Sequence, residues 1–441
     1  MSWQQNPYPP PQGYGAPPPM PQGGGYGAYP PPGGPPPPHA GGYGAPPAPY
    51  AGGYGAPPGP PPPQHGYPQQ HHGQHGHHGH HAHPPPPQPG YGYGAPTHAP
   101  PPAAAAAGAF YLGVPVPPPP PHQPAPPPPG YNAAQDVERI RKATKGFGTD
   151  EGSLIATLAP LDAFQIDALR HTFKATVGKD LLQVLEKETS GWFEAALRAK
   201  VLGPVLYDCW LIKRACQGAG THEDLLNEVI LGRTNSEMHI LKQAYRATYG
   251  KDLERVVEDE LSFKTKRMFT MAMQGVRQED NVPINPQAVD ADAAALHNAA
   301  KGAGTDEIAI CGILIQRSTP HLAAVAQAYH RLYRKHLSSM IDSEFSGHMR
   351  DALRYIVDGV ENDGQGVTRD ARLLEDSMKG MGTKDERLVY RVARLHWNKH
   401  RFEGQIKPAY AQLFHKKGLK NRVEGETSGD YKRMLSAMIG S

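Results

Sequence analysis

The chain has 441 residues, 50 of them glycine and 51 proline, and a formal net charge of only +3, too small for a nucleic-acid footprint. No Asp, Glu, Lys or Arg precedes Asp136, so every formal charge lies in the last 306 residues. This divides the chain into an uncharged tail and a charged remainder apolar enough to bury a core.

From residue 1 to about 130, proline runs alternate with the tetrad Gly-Tyr-Gly-Ala, which starts at Gly13, Gly25, Gly42, Gly53 and Gly92. Such a stretch cannot bury enough apolar area to offset about 1–2 kcal/mol per residue of backbone ordering entropy, so disorder is expected. Its spaced tyrosines suit self-association or a protein partner, or the tail is a solubilising spacer. His71, His72, His75, His77, His78, His80, His81 and His83 cluster within it. They read either as low-complexity drift or as imidazole ligands for a transition metal such as Zn²⁺, with charge rising below pH about 6.5.

The first residues show neither a basic nor an apolar leader region, and the apolar stretch from Ala103 to Val116 is too short to span a bilayer. Cys209, Cys216 and Cys311 are odd in number and lack framework spacing, which favours a reducing, cytoplasmic setting. Membrane association, if it occurs, is then peripheral and needs something other than a polybasic patch.

Beyond the tail, Gly-x-Gly-Thr recurs at Gly146, Gly218, Gly302 and Gly380, so the repeating unit is about 70–85 residues. The boundaries expected are 131–203, 204–276, 287–360 and 366–441, with a polar connector from Arg277 to Pro286 between the halves. In the first unit, Thr149 is a candidate N-cap, followed by apolar faces at helical spacing: Leu154, Ile155 and Leu158, then Ile166, Leu169 and Phe173. Leu181, Leu182 and Leu185 precede Glu188, and a last helix carries Trp192, Phe193 and Leu197. The later units follow the same plan, and Thr383 with Glu386 has capping-box spacing. About five helices per unit and essentially no sheet are expected, an all-α fold.

Glu188, Glu260 and Glu344 each lie 42 residues after the first glycine of their unit. A glycine-rich turn between helices leaves carbonyl oxygens unpaired and lets them converge. Calcium seeks six to eight oxygens at about 2.3–2.6 Å, so such carbonyls with one bidentate carboxylate make a partial cage. Open positions on the ion suit a lipid phosphate, and several weak sites together give steep avidity.

Residues from about 132 onward resemble the annexin core, four endonexin repeats each carrying K-G-x-G-T and a downstream acid, and the Gly-, Pro- and Tyr-rich tail resembles those of the long annexins. The resemblance implies a curved all-α disc that binds acidic phospholipid through calcium. It implies four ligand sets: Thr144, Gly146, Gly148 and Glu188; Cys216, Gly218, Gly220 and Glu260; Ala300, Gly302, Gly304 and Glu344; Met378, Gly380, Gly382 and Glu426. Thr149 with Glu151, and Thr305 with Glu307, resemble the accessory weaker sites. Unit two departs with Gln217 for Lys and Phe263 for the Gly that follows Ser in the others. Unit four places Glu426 46 residues after Gly380, implying about four inserted residues near Leu395–Gly404, and has Lys384 where units one and three have Asp. Sites one and three are therefore expected to be strongest and site four weakest.

An enzyme is not expected. No glycine loop reads G-x-x-x-x-G-K-[ST], and there is no H-E-x-x-H, nucleophile elbow or Cys–His pairing. The expected function is calcium-dependent membrane binding that organises or bridges membranes in trafficking or repair. A tail-driven assembly protein with the core as tether is the alternative.

Overall fold

The computed structural model describes residues 109–120, 127–146, 148–218, 220–302, 304–414, 416 and 418–440. The histidine cluster at 71–83 lies outside them.

Several helices begin where a side chain satisfies their free N–H groups. In unit one, Asn132 caps α1 (Ala133–Ala143), Asp150 caps α2 (Glu151–Leu158), and Asp162 with Gln165 forms a capping box on α3 (Ala163–Val177). Gly178 ends α3 with a left-handed φ of 73°, and Asp180 caps α4 (Leu181–Glu188). The long α5 (Gly191–Ala215) is two helices joined at Gly203 (φ 72°, ψ 175°), with Pro204 opening the second. Its first half closes unit one and its second opens unit two.

Unit two continues through α6 (Glu223–Ile230), α7 (Asn235–Tyr249), α8 (Leu253–Glu260) and α9 (Phe263–Met273). Unit three comprises α10 (Pro286–Ala299), α11 (Glu307–Gln316), α12 (Thr319–Tyr333), α13 (Leu337–Glu344) and α14 (Gly347–Asp358). Unit four has α15 (Val367–Met378), α16 (Asp385–Trp397), α17 (Lys399–Arg401), a π-helical turn (Phe402–Ile406), α18 (Lys407–Leu413), α19 (Gly418–Glu426) and α20 (Gly429–Ile439).

The lengthening of unit four is more spread out than expected. Buried Phe402 lies 22 residues after Gly380, where Ile166 lies 20 after Gly146, so two residues enter as the second helix extends to Trp397. The π-helical turn adds a third, because Ile406 stands 26 residues after its glycine and Leu169 stands 23 after its own. The fourth enters between Tyr410 and Leu419, outside the Leu395–Gly404 window.

Units one and four pack through α2 and α5 against α20 and α16, while units two and three pack through α6 and α9 against α14 and α11. An aspartate ten residues before each first glycine (Asp136, Asp208, Asp292, Asp370) is buried in the opening helix of every unit. Each is paired, as a buried charge must be. Asp292 takes Arg317 at 2.6 and 2.9 Å and His321 at 2.8 Å, and Asp370 takes Arg401 at 2.7 Å. A second buried pair, Glu228 on α6 with Arg391 on α16, joins units two and four, and Tyr390 donates to the same carboxylate at 2.8 Å.

The four units are helical as expected, and one expectation about the tail needs correction. A short antiparallel hairpin ahead of the first unit pairs β1 (Phe110–Tyr111) with β2 (Val114–Pro115). The chain also joins the core well before residue 130. Tyr111 is fully buried, donates to Asp208 at 2.8 Å and lies under the Arg233 guanidinium. The hairpin turn uses positive φ at Leu112 (54°) and Gly113 (74°), the twist that two-residue hairpins require. The strain at Leu112 is offset by bonds on both sides: its N–H donates to Glu237 at 2.7 Å and its carbonyl accepts from Asn398 at 3.3 Å. A core cut at residue 131 would lose this clasp.

Between units one and four, fully buried Lys200 donates to the Leu161 carbonyl at 2.5 Å and reaches His396 Nε2 at 2.7 Å. His396 Nδ1 faces the Met438 carbonyl at 2.7 Å, so Nδ1 carries the proton and Nε2 accepts from Lys200. Burial first, then Lys200, pushes the imidazole down to about 3 from its ordinary 6.5. Its contribution to stability is therefore complete above pH 6.5 and is lost as pH falls toward 3, because the unfolded chain takes up a proton that the folded chain refuses. In urea unfolding from pH 7 to 4, His396→Gln should be less stable at pH 7 and show a shallower decline. Parallel curves for the two proteins would contradict this account.

Candidate metal centres

The four glycine loops share one backbone. The first glycines have φ of 112°, 112°, 116° and 105° (Gly146, Gly218, Gly302, Gly380), and the second 85°, 97°, 129° and 82° (Gly148, Gly220, Gly304, Gly382). A Cβ at any of the eight would meet nothing within 4 Å, so glycine is demanded by conformation, not by space. Each loop is closed by one bond back to the preceding helix: Asp150, His222, Asp306 and Lys384 donate to the carbonyls of Ala143, Ala215, Ala299 and Ser377 at 2.9, 3.0, 2.8 and 2.8 Å. The carbonyls of Thr144, Cys216 and Ala300, together with those of the loop glycines, accept no hydrogen bond from the described residues. They are hard oxygen donors left open at a helix end.

The loop threonine brings the distant acid to the loop. Thr149 donates to the Glu188 carbonyl at 3.0 Å, and Thr221 reaches the Glu260 carbonyl and carboxylate at 3.3 and 3.5 Å. Thr305 donates to the Glu344 carboxylate at 2.7 Å, and Thr383 to that of Glu426 at 3.0 Å. The structure thus places every expected loop beside its expected acid. It also corrects the capping assignment: Asp150 and Asp306, one residue after the threonines, cap α2 and α11. Lys384 occupies that position before α16 without a side-chain cap, so Thr383 and Glu386 form no capping box. The threonine hydroxyl is turned instead toward the acid turn, to which it donates.

The four carboxylates differ in what holds them. Glu188 is exposed, and its carboxylate has no partner among the described residues. Glu260 has only the long Thr221 contact, and the Cys216 thiol is pushed up to about 12 by burial and then by this carboxylate. Glu344 accepts from Thr305 and from Ser343 at 3.2 Å. Glu426 is different, because Arg422, one helical turn earlier on α19, pairs with it and also donates to the Met378 carbonyl at 2.5 Å. Position alone did not single out Arg422, although Val184, Val256 and Met340 occupy the same place before the other acids. Of the accessory residues, Glu151 opens α2, while Glu307 is paired with Lys264 at 2.5 Å.

Among the described residues no group of three or more His, Cys, Asp or Glu side chains converges on one point. The donors at loops one to three are carbonyls plus one carboxylate, which fits a hard cation such as calcium and not zinc or copper. Loop four does not fit in the same way, because a cationic side chain already bonds two of its donors. Cys209 and Cys311 are buried and Cys216 half-buried, all three free, and burial pushes the thiols of Cys216 and Cys311 up to about 12, so neither is a thiolate nucleophile at neutral pH.

Fold and loops together define a helical repeat protein in which each glycine turn stands beside an acid from a distant turn. The annexin family model matches residues 135–199, 207–271, 291–356 and 369–438. The chain is 57% identical over 311 residues to Annexin C1 of Cryptococcus neoformans var. grubii and 37% identical over 312 residues to human Annexin A7. Each match covers 70% of this chain and 66% and 62% of the relative, just under two thirds of those proteins. Among solved structures, annexin III is similar with a TM-score of 0.65 at 30% identity, over 71% of this chain and 95% of that one. A calcium-bound annexin, (Sm)1, gives 0.60 at 26% identity over 71% and 92%. The chain belongs to the annexin family, whose cofactor is calcium.

Thr305→Val keeps the side-chain shape but removes the bond that holds Glu344 at its loop. A partly exposed hydrogen bond to a carboxylate contributes about 1 kcal/mol, so the calcium needed for half-maximal thermal stabilisation should rise about fivefold. An unchanged calcium midpoint would show that the threonine does not organise the site.

Proposed function

We propose that this protein binds acidic phospholipid membranes peripherally when calcium rises, with the ion held by the loops of units one, two and three. The carrying observation is that the open carbonyls of Thr144, Cys216 and Ala300 belong to loops whose threonines, Thr149, Thr221 and Thr305, bond the turns that carry Glu188, Glu260 and Glu344. In this reading the ligand sets are Thr144, Gly146, Gly148 and Glu188; Cys216, Gly218, Gly220 and Glu260; and Ala300, Gly302, Gly304 and Glu344. Bound calcium supplies a Lewis-acidic bridge to lipid phosphate. The chain's own part is to hold the carbonyls convergent, to keep one carboxylate in reach, and to leave the outer side open to lipid. No helix among the described residues is long and apolar enough to cross a membrane, which suits peripheral attachment. Free thiols suit a cytoplasmic setting.

Phe263 adds an apolar contact. It takes the place of Gly191, Gly347 and Gly429 in the acid turn and keeps their left-handed backbone, with φ of 47° against 64°, 57° and 59°. It is also 91% exposed. A bulky residue strained and solvated at once, beside the Glu260 turn, is suited to entering the interfacial layer of a bilayer.

The binding itself is tested by sedimentation with phosphatidylserine vesicles. Pelleting in calcium and not in EGTA is expected, and equal pelleting in both would end the proposal. The double variant Glu188→Gln, Glu344→Gln loses two charged ligands and should need roughly tenfold more calcium. Phe263→Gly should gain about 1 kcal/mol of stability by relieving the strained backbone, yet bind vesicles about tenfold more weakly. Equal vesicle affinity would remove Phe263 from the contact.

A further inference from the structure

In units one to three the residue one helical turn before the acid is Val184, Val256 or Met340, none of which carries charge. In unit four it is Arg422. Its guanidinium bonds the Glu426 carboxylate with one nitrogen and the Met378 carbonyl, at 2.5 Å, with another. Its Nε lies 3.6 Å from Glu375 at the end of the opening helix. These are the carboxylate and the helix-end carbonyl that the other units leave for the ion. We propose that Arg422 is the resident cation of the fourth loop, so that this unit is shaped without calcium and takes none up.

The loop's geometry supports this. Gly380 and Gly382 have the same positive φ as their counterparts, the closing bond from Lys384 to Ser377 is 2.8 Å, and Thr383 still holds Glu426 at 3.0 Å. The fourth loop therefore has the form of a site with its charge already balanced. A calcium ion entering it would have to break two charge-assisted hydrogen bonds and then sit beside a positive group that cannot deprotonate. The side chain is not loose on the surface: Arg422 is 22% exposed and Glu426 24%. Arg422, more directly than the neighbouring Lys384, separates unit four from the others. Met381, at the loop's tip and fully exposed, is thereby presented at any calcium level.

The inference rests on the calcium reading of the other three loops, and the test separates the two. Calcium stoichiometry of the full chain is measured by equilibrium dialysis with phosphatidylserine vesicles present, for the parent and four variants. Glu426→Gln should leave the number of bound ions unchanged. Arg422→Met, which copies the residue at 340, should add one ion, and the double variant Arg422→Met, Glu426→Gln should lose it again. Glu188→Gln should lose one. A loss of one ion in Glu426→Gln alone overturns the assignment, as does no gain in a folded Arg422→Met protein. Glu426→Gln, nearly isosteric, keeps the test decisive if Arg422→Met does not fold. No loss in Glu188→Gln overturns the calcium reading beneath it.

Discussion

One hydrogen bond organises each functional unit: the loop threonine donating to an acid turn 39 residues away, or 43 in unit four. The bond is itself worth only about 1 kcal/mol and lies at the surface. It marks where two helix ends have been driven together by the apolar core between them. Leu154 and Leu158 on α2, Leu169 and Phe173 on α3, and Leu181 and Leu185 on α4 are all buried, and their packing fixes how far Glu188 lies from Gly146. The constancy of the 42-residue interval across three units is thus a packing constraint before it is a binding one. Where helices lengthen, as in unit four, the interval changes and the threonine contact still forms.

The charged interior follows a different logic. The aspartate ten residues before each first glycine is buried in all four units, but its partner changes from unit to unit. Asp208 gathers Tyr111, Arg233 and Arg394, the last from unit four, whereas Asp292 uses Arg317 and His321 from its own unit. Buried ion pairs seldom add much net stability, since desolvation offsets the attraction, but removing one partner is severe. Here they make the unit two–unit four contact specific: Glu228 accepts only where Arg391 and Tyr390 can reach it. Core leucines alone would tolerate sliding between units.

Much of this was legible in the sequence. Helical periodicity indicated an all-α fold, recurring glycine pairs marked the loops, and equal spacing pointed from the first three loops to their acids. What was misread required three-dimensional neighbours. Threonine looked like a cap because Thr caps well, but only the fold shows that its hydroxyl faces an acid 39 residues away while Asp150 or Asp306 takes over the cap. The hairpin at 110–115 was hidden because Leu-Gly is a poor turn signal, made workable by Glu237 on α7 and by Asn398 between α16 and α17. Arg422 was visible as a residue but not as a ligand competitor. Its position four before Glu426 becomes meaningful once α19 is seen to turn that face toward the end of α15.

The hairpin clasp also gives the chain a mechanical point of attachment. The stretch through residue 113 enters the core with Tyr111 enclosed and Leu112 bonded to unit two by its N–H and to unit four by its carbonyl. Tension arriving from the N-terminal side therefore meets the seam between two repeats, not the start of α1 some twenty residues later. Resistance comes from shearing a few hydrogen bonds and from withdrawing one tyrosine away from Asp208. Load on the tail is delivered to the same buried charges that hold units two and four in register.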